Sequence, residues 1–304
     1  MARILVFGSI NLDITVSVPR LPALGETLLG SDALLSPGGK GANQAHAARR
    51  FGCDVALYGA VGDDKLGGDA MKLLSREGVD LDGVRTLAAV PTGVACIAVA
   101  PDGGNAIIVS PGANAHVRAG WVTPLAASQA DVVLLQMEVP VAESMEVARV
   151  AKRLGRTVVL NLAPAGDLNT LDVDALDWLV LNETELEQLC MHLGVPPGLI
   201  DERAAHVASR WKTGVALTQG AAGAALFAAD GQRTACPALA GDIVDTTGAG
   251  DTFAGVFCAA LAQGRQAADA LRFGVVAGSL ACRRPGAQAA QPGRAQIDRH
   301  MHDA

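Results

Sequence analysis

Residues 178–193 read WLVLNETELEQLCMHL, and the change of pattern inside this stretch is the basis of the fold prediction. Its first four residues, Trp178 to Leu181, form an unbroken apolar run, which is typical of a strand buried on both faces. From Glu183 to Leu193 the apolar residues recur at helical spacing. The stretch therefore predicts a buried strand that is followed directly by a helix.

The same unit recurs in both directions along the chain. Further buried strands are predicted at Ile4 to Phe7, Val55 to Tyr58, Val132 to Leu135, Val158 to Leu160 and Val215 to Thr218. Helical spacing is found at Gly41 to Phe51, Leu66 to Glu77, Val141 to Leu154, Glu202 to Trp211 and Asp251 to Leu261. Strands that alternate with helices predict an α/β fold with a mainly parallel central sheet, covered by helices on both faces.

Residues 12–35 and 90–109 interrupt this rhythm. They contain few helical signals and include alternating stretches at Thr15 to Val18 and at Cys96 to Val99. We expect them to form a small antiparallel sheet that acts as a lid. One apolar face of such a sheet needs cover, which a substrate or a second subunit can supply.

Composition limits the class of protein. Of 304 residues half are apolar and 18% are charged, so a large core can form, while length alone leaves the domain count open. A formal net charge of −7 argues against nucleic-acid and membrane partners. Six widely spaced cysteines are interpreted as reduced thiols. We find neither a signal-peptide core nor an eighteen-residue apolar run in the sequence. We therefore expect a cytoplasmic location.

The segment Asp245-Thr-Thr-Gly-Ala-Gly-Asp-Thr-Phe253 is the strongest local signal of chemistry. Two glycines followed by a helix start direct unpaired N–H groups at a ligand, an arrangement that favours an anion such as a transferring phosphoryl group. Asp251 then stands where a carboxylate can accept a proton from a hydroxyl. The alternative is a tight turn with a helix cap. Neither GxGxxG nor GxxxxGK[ST] is present, because Phe253 occupies the third glycine position and Lys40 lacks the required context.

Two further segments supply polar groups to the predicted ligand crevice. Pro37-Gly-Gly-Lys-Gly-Ala-Asn-Gln44 combines three glycines with Lys40 and Asn43 just before a helix, although a loop and helix cap would also explain it. Asn11 and Asp13, read as the end of the first strand, share one face and suit a vicinal diol, with an Asx turn as the alternative. Other polar residues follow later strands, at the edge where open parallel sheets bind ligands: Glu138, Asn161, Asn182 and Glu185.

Taken together, these segments resemble the ribokinase family of sugar kinases over nearly the whole chain. The matching stretches occur in the family's order: Gly8 to Asp13, Gly25 to Thr27, Pro37 to Gln44, Gly112 to Asn114, Gln136 to Glu138, Asn182 to Glu185, Thr218 to Gly220, Asp245 to Phe253 and Gly286 to Gln288. The resemblance implies one ribokinase-like domain over residues 1–304, a three-layer αβα sandwich with an inserted β-lid formed by about 12–35 and 90–109.

The resemblance also implies roles for individual residues. Asp251 corresponds to the general base, and Gly248, Ala249 and Gly250 to the anion hole. The positions that correspond to sugar contacts are Asn11, Asp13, Gly39, Lys40, Gly41, Ala42, Asn43, Glu138 and Asp251. Those that correspond to nucleotide contacts are Asn182, Glu185, Thr218, Gly220, Gly223 and Gly250. A monovalent-cation site corresponds to Asp245, Thr247, Ala281, Arg284 and Gly286.

The implied reaction is transfer of the γ-phosphate of ATP to the 5-hydroxyl of D-ribose, with Mg²⁺ required, K⁺ as an activator and a homodimer formed through the lid. Kinases of a nucleoside, 2-deoxyribose or a ketohexose remain alternatives, as does a sugar-sensing protein without turnover. Three positions depart from the family pattern, namely Leu162, Ala254 and Ala290. The departure at Ala290, together with Arg283-Arg284-Pro285, bears on the potassium site.

Overall fold

The computed structural model describes residues 2–101 and 104–302. Residues 102 and 103, which fall within the second predicted lid region, lie outside the described residues, as do residues 1, 303 and 304. Among the helices in the described ranges, we find none with the length and apolar character needed to cross a membrane.

Thirteen strands occur within the described residues. They are β1 (Arg3–Phe7), β2 (Asn11–Ser17), β3 (Leu34–Gly38), β4 (Asp54–Gly62), β5 (Asp80–Leu87), β6 (Gly93–Val99), β7 (Asn105–Ser110), β8 (Val132–Leu135), β9 (Thr157–Asn161), β10 (Trp178–Asn182), β11 (Gly214–Thr218), β12 (Ala224–Phe227) and β13 (Arg233–Cys236).

The large sheet has the order β13-β12-β11-β10-β9-β8-β1-β4-β5. All neighbours from β11 to β5 pair in parallel, whereas β12 and β13 pair antiparallel at one edge. The central strands are apolar because both faces are covered; all four residues of β8, for example, are buried.

The helices of the described chain are α1 (Lys40–Arg50), α2 (Lys65–Glu77), α3 (Pro124–Ser128), α4 (Val141–Arg153), α5 (Glu183–His192), α6 (Ile200–Trp211), α7 (Ala249–Ala262), α8 (Ala267–Ala281) and α9 (Arg294–His300). Two hydrophobic clusters hold them against the sheet. Residues of α1, α2, α7, α8 and α9 pack in one cluster, and residues of α3, α4, α5 and α6 pack in the other. The predicted α/β class with a mainly parallel, helix-covered sheet is confirmed.

Strands from the two predicted lid regions form a separate sheet, referred to below as the lid sheet, with the order β3-β2-β6-β7. The prediction of an antiparallel lid is wrong in one pair, because β2 runs parallel to β6. The other two pairs, β3 with β2 and β7 with β6, are antiparallel. A parallel pair needs a long crossover, and here α1, β4, α2 and β5 separate the two strands in sequence. A second correction concerns Asn11 and Asp13. They do not end the first strand, which stops at Phe7, but begin β2.

Candidate active site

Asp251 lies in the first turn of α7. Gly248 caps this helix with φ +72°, a left-handed conformation that favours glycine, so the chain can turn sharply into the helix. The Asp251 side chain is 7% exposed, and each carboxylate oxygen accepts an amide N–H at 2.9 Å, Oδ2 from Asn43 Nδ2 and Oδ1 from Gln44 Nε2. The carboxylate is thus held in one orientation beside the start of the helix.

The two amides that hold Asp251 are themselves fixed by other amides. Gln44 Nε2 also donates to Asn161 Oδ1 at 2.9 Å, and Gln44 Oε1 accepts from Gln136 Nε2 at 2.7 Å. Gln288 Nε2 donates to Asn43 Oδ1 at 3.1 Å. The predicted site set lacked Gln44, Gln136 and Gln288, although all three lie inside the matching stretches. Gln136, directly after β8, is the one that the rule of polar residues at strand ends could have identified.

Asn11 and Asp13 lie at the start of β2, buried and on one face of the strand. Asn114 Nδ2 donates to Asn11 Oδ1 at 2.7 Å, while Asn114 Oδ1 accepts from the backbone of Ile10 at 2.9 Å. A Cβ at Gly39, where φ is +88°, would lie 2.7 Å from Asn11 N, so this close approach requires glycine. The Gly112 to Asn114 stretch and the glycine run together fix the position of Asn11.

Lys40 and Glu138 face the same region. Glu138 Oε2 accepts from Ser9 Oγ at 2.5 Å and from the backbone N–H of Lys40 at 3.1 Å. The Lys40 side chain lines a cavity of about 220 Å³ together with Asp251 and Asn182. Gly41 and Ala42, in contrast, pack against the backbone of residues 8 and 9 and contribute the shape of the turn.

The electrostatics of this region are those of a closely spaced carboxylate cluster around one cation. Burial, with the neighbouring Glu138 and Asp251, raises the pKa of Asp13 to about 7, although Lys40 opposes the rise. Burial alone would lower the pKa of Lys40, but the surrounding carboxylates, Asp251 foremost, outweigh it and raise that pKa above its usual range. Asp13 is therefore protonated in part at neutral pH and can donate or accept a hydrogen bond.

A larger cavity of about 580 Å³ adjoins this polar region. Its wall contains five of the six predicted nucleotide positions, and it is otherwise largely apolar. The predicted positions in its wall are Asn182, Thr218, Gly220, Gly223 and Gly250. Asn182, Thr218 and Gly250 line the smaller cavity as well, so the two cavities meet at these residues and at the start of α7.

Gly250 lies where the two cavities meet, and Glu185 lines the smaller one. Glu185 forms a capping box with Asn182 at the start of α5, and burial raises the pKa of Glu185 despite the Asn182 N–H and Lys40. A Cβ added at Gly250 would contact no protein atom within 4 Å. The fold itself does not require glycine there, so the open space beside the helix start is available to a ligand.

The predicted cation positions lie on two adjacent loops and at the end of α8. Asp245 Oδ2 accepts the N–H of Gly286 and Oδ1 accepts that of Thr247, both at 2.8 Å. Burial would raise the pKa of Asp245, but these N–H groups outweigh it and lower that pKa below its usual range. Ala281 is the last residue of α8 and Arg284 lies on the loop that follows, and Ala281 O accepts from Arg284 N at 3.3 Å. Ala290 is buried and presents a methyl group.

The chain is similar to known proteins in sequence and in fold. A model of the pfkB family carbohydrate kinases matches residues 1–294. The ribokinase of Haemophilus influenzae is 36% identical over 296 residues, which cover 95% of each chain. A ribokinase structure from Thermotoga maritima superposes over 100% of both chains with a TM-score of 0.90 at 31% identity. The Arabidopsis thaliana ribokinase complexed with ribose and ATP covers 99% of both chains, with a TM-score of 0.88 at 33% identity.

Proposed function

Because the chain belongs to the pfkB family of carbohydrate kinases, we propose that it transfers the γ-phosphate of ATP to the 5-hydroxyl of D-ribose. The observation that carries this proposal is the ring of polar side chains that encloses a small cavity beside Asp251 and opens onto a second cavity large enough for a nucleotide. The printed ligands of the Arabidopsis thaliana relative, ribose and ATP, support both halves of the assignment.

At the sugar end, three of the proposed contacts have a hydrogen-bonding group that the fold has already oriented. Asn11 and Asn43 are fixed amides and Glu138 is a fixed acceptor, while the buried Asp13 can donate or accept. A pentose offers several hydroxyls on one small ring, and each hydroxyl can donate to a carboxylate and accept from an amide. A site built in this way discriminates strongly against a sugar that lacks one of those hydroxyls, because a buried polar group would then lose its partner.

Asp251 is the proposed general base. Its carboxylate, held by two amides, accepts the proton of the 5-hydroxyl as the oxygen attacks the γ-phosphorus. The bond from the γ-phosphorus to the bridging oxygen breaks, and ADP leaves with that oxygen. The first turn of α7, residues 248–251, supplies backbone N–H groups and the positive end of the helix dipole to the transferring phosphoryl group. The N–H of Ala249 also donates to the carbonyl of Thr246 at 3.2 Å. Lys40 lies in the same cavity and adds a positive charge. Positioning and charge stabilisation are the main requirements of phosphoryl transfer.

A magnesium ion is proposed to accompany the nucleotide. Mg²⁺ usually keeps several waters and binds through one or two carboxylates and the substrate phosphates. Glu185 presents a half-buried carboxylate to the small cavity and is the residue that would hold such a water shell. The ion would offset the negative charge of the phosphates.

A potassium ion is proposed at the loops of Asp245 and Gly286. The hydrogen bond between Asp245 Oδ2 and Gly286 N brings the two loops together, so backbone carbonyls from both can face one point. The residues that would supply them are Asp245, Thr247, Ala281, Arg284 and Gly286. Ala290 has no hydroxyl that could contact the ion. Near this residue the potassium site would therefore depend on carbonyl oxygens alone.

The lid is proposed to join two copies of the chain. Among the described residues, eight of the thirteen exposed large hydrophobic side chains belong to the two lid regions. They are Leu21, Leu24, Leu29, Leu34, Leu35, Ile107, Ile108 and Val109. Neighbouring positions on a strand point to opposite faces, so exposure of both Leu34 and Leu35 leaves neither face fully covered. One face would cover the sugar and the other would meet a second copy.

The test is consumption of magnesium-ATP by purified protein against D-ribose, 2-deoxyribose, fructose, adenosine and cytidine, each with and without potassium. Turnover on ribose that exceeds the other acceptors by at least about 10²-fold would support the proposal. Preference for another acceptor would keep the mechanism and replace the substrate. The absence of turnover on all five would contradict the proposed substrate class and favour a sugar sensor.

A further inference from the structure

Gln288 lies at the end of the matching stretch Gly286 to Gln288, and the proposed reaction gives it no role. Its side chain is buried, and its Nε2 donates to Asn43 Oδ1 at 3.1 Å. Asn43 in turn donates from Nδ2 to Asp251 Oδ2 at 2.9 Å. Gln288 is therefore linked to the proposed general base through one intervening amide.

The direction of each amide in this chain follows from its neighbour. An ionised carboxylate can only accept, so Asn43 must turn its NH₂ group to Asp251. The carbonyl oxygen of Asn43 then points away from the base and needs a donor, which Gln288 supplies. If the Asn43 amide were reversed, its carbonyl oxygen would face the carboxylate, and the two acceptors would repel each other.

Asn43 has fewer partners to fix its direction than the neighbouring Gln44. The Nε2 of Gln44 donates to Asn161 Oδ1 as well as to Asp251. In the part of the chain that the structure describes, the Asn43 side chain makes hydrogen bonds to Asp251 and Gln288 alone. Without Gln288, the Asn43 amide is free to turn.

The other end of the Gln288 side chain argues against a purely structural role. Its Oε1 is buried and has no hydrogen-bond partner among residues 2–101 and 104–302. An unpaired buried acceptor lowers the stability of a fold, so stability alone would favour an apolar side chain of similar shape. The donor at the opposite end of the amide explains why glutamine suits this position.

We propose that Gln288 is a positioning residue, which sets the direction of the Asn43 amide and thereby holds the Asp251 carboxylate in its reactive orientation. This inference rests on the proposed function, in which Asp251 is the base. The same orientation leaves a second N–H on Asn43 for a sugar hydroxyl. Loss of Gln288 should therefore lower kcat and, to a smaller extent, weaken sugar binding.

Gln291 offers a matched comparison, because it is a second buried glutamine on the same loop and bonds to the same asparagine. Its Nε2 donates at 2.9 Å to the backbone carbonyl of Asn43, and its Oε1 lies 2.6 Å from His46 Nδ1. The backbone carbonyl can only accept, so Gln291 Oε1 faces the ring and accepts from His46. Both ends of Gln291 are thus paired, but neither contacts the side-chain amide that faces Asp251.

The test compares Gln288→Met with Gln291→Met in the full-length protein, by steady-state kinetics on magnesium-ATP and D-ribose and by thermal melts. Methionine has a similar unbranched shape but no amide. We expect Gln288→Met to lower kcat at least about tenfold and to change the melting temperature little, since the unpaired Oε1 is lost together with the donor. We expect Gln291→Met to melt at a lower temperature, because two buried groups lose their partner, with kcat within about twofold of wild type.

The two variants are thus expected to rank in opposite orders for stability and for turnover, which a structural role of both glutamines would not produce. Unchanged kcat in Gln288→Met would overturn the proposal, as would an equal loss of kcat in both variants. In the Asp251→Asn background, Gln288→Met should lower kcat no further, because the group through which it acts is already gone. A further tenfold loss there would also contradict it.

A measurement that needs no turnover separates this proposal from the proposed function. In protein isotope-labelled at the asparagine side-chain nitrogens, Asp251→Asn should shift the NH₂ resonances of Asn43. That response should shrink when Gln288→Met is present and persist when Gln291→Met is present. If wild type turned over none of the acceptors, the proposed function would fail, and this response would still decide the orientation of Asn43. A response of equal size in both backgrounds would overturn the positioning role.

Discussion

At the scale of single residues, the Asp251 carboxylate is the most constrained group in the site. Replacing it with Asn keeps one acceptor oxygen for the amides of Asn43 and Gln44 but removes the ability to take a proton. We expect Asp251→Asn to lower kcat by at least about 10²-fold while the KM for ribose stays within a few-fold. The stability cost should be about 1 kcal/mol, because one buried amide loses its acceptor.

Steady-state kinetics and calorimetric ribose binding measure this expectation, with Asp174→Asn as the control. Asp174 is an exposed aspartate that lies far along the chain from α7, so the same chemical change there should leave kcat unaltered. Near-normal turnover by Asp251→Asn would remove Asp251 as the base.

Asp13 gives a prediction that depends on pH. Its pKa is about 7 in the folded protein and near 3.8 when unfolded, so between those values the folded state holds a proton that the unfolded state releases. Stability therefore falls as pH rises through this window, and the full penalty is present above about pH 7. We expect Asp13→Asn to stabilise the sugar-free protein by on the order of 2 kcal/mol at pH 8, with the gain lost near pH 4.

Urea unfolding across this pH range measures the effect of Asp13→Asn, and ribose titration should show weaker sugar binding in the same variant. A stability difference between wild type and variant that does not change with pH would contradict the raised pKa. The exposed Asp32 supplies the control, since Asp32→Asn should change stability little at any pH.

The residues that form the site were predictable where they lie in segments of distinctive composition. Asp251, Lys40 and Asn43 lie in glycine-rich segments at helix starts, and they do come together. Gln44 was not assigned a role, because the direction of its amide depends on how α1 packs against α7. A single sequence contains no record of that contact.

At the scale of elements, the first turn of α7 combines an open glycine with a helix start. An Ala at Gly250 would meet no protein atom, so the fold should tolerate it, but its methyl group would occupy the space proposed for the phosphates. We expect Gly250→Ala to keep or slightly raise stability and to reduce kcat/KM for ATP at least about 10²-fold. Ribose binding should persist.

Gly68→Ala is the matched variant for this experiment. Gly68 lies in the first turn of α2, and a Cβ there also meets no atom within 4 Å. Both variants should melt alike, and only Gly250→Ala should lose activity. Full activity of Gly250→Ala would contradict an anion hole at this turn.

The elements were predictable in proportion to their burial. Central strands such as β8 show continuous apolar runs and were predicted at the observed bounds. The edge strands β5 and β13 are largely exposed, so their residues give no apolar run. Helix α8 was missed for the opposite reason. It is buried around much of its circumference and rich in small residues, which weakens the helical period.

At the scale of the whole molecule, the pairing of strands in the lid sheet could not be predicted from the local sequence pattern. Alternation in 12–35 and 90–109 correctly indicated strands but not the parallel pairing of β2 with β6. That pairing depends on the path of the chain through α1, β4, α2 and β5, which brings β6 beside β2. This path is a property of the complete topology. The apolar residues of the lid, however, are visible in sequence, and they point to an interface.

The proposed dimer can be tested at the edge of the lid sheet. Strand β7 lies at this edge, and Ile108 on it is 73% exposed, so in the proposed dimer a charge at this position would be buried against a second copy. An unpaired buried charge opposes association strongly. We expect wild type to sediment at twice the 30.9 kDa chain mass and Ile108→Lys to sediment as a monomer, with a raised KM for ribose because the lid loses its support.

Leu199→Lys is the control for Ile108→Lys, since Leu199 is 69% exposed just before α6 and outside the lid. It adds the same charge without touching the proposed interface, so its mass and its KM should equal those of wild type. A wild-type monomer would contradict the dimer outright. A dimer that survives Ile108→Lys would move the interface elsewhere, and it would require the exposed lid face to be covered by the sugar-bound, closed state of the same chain.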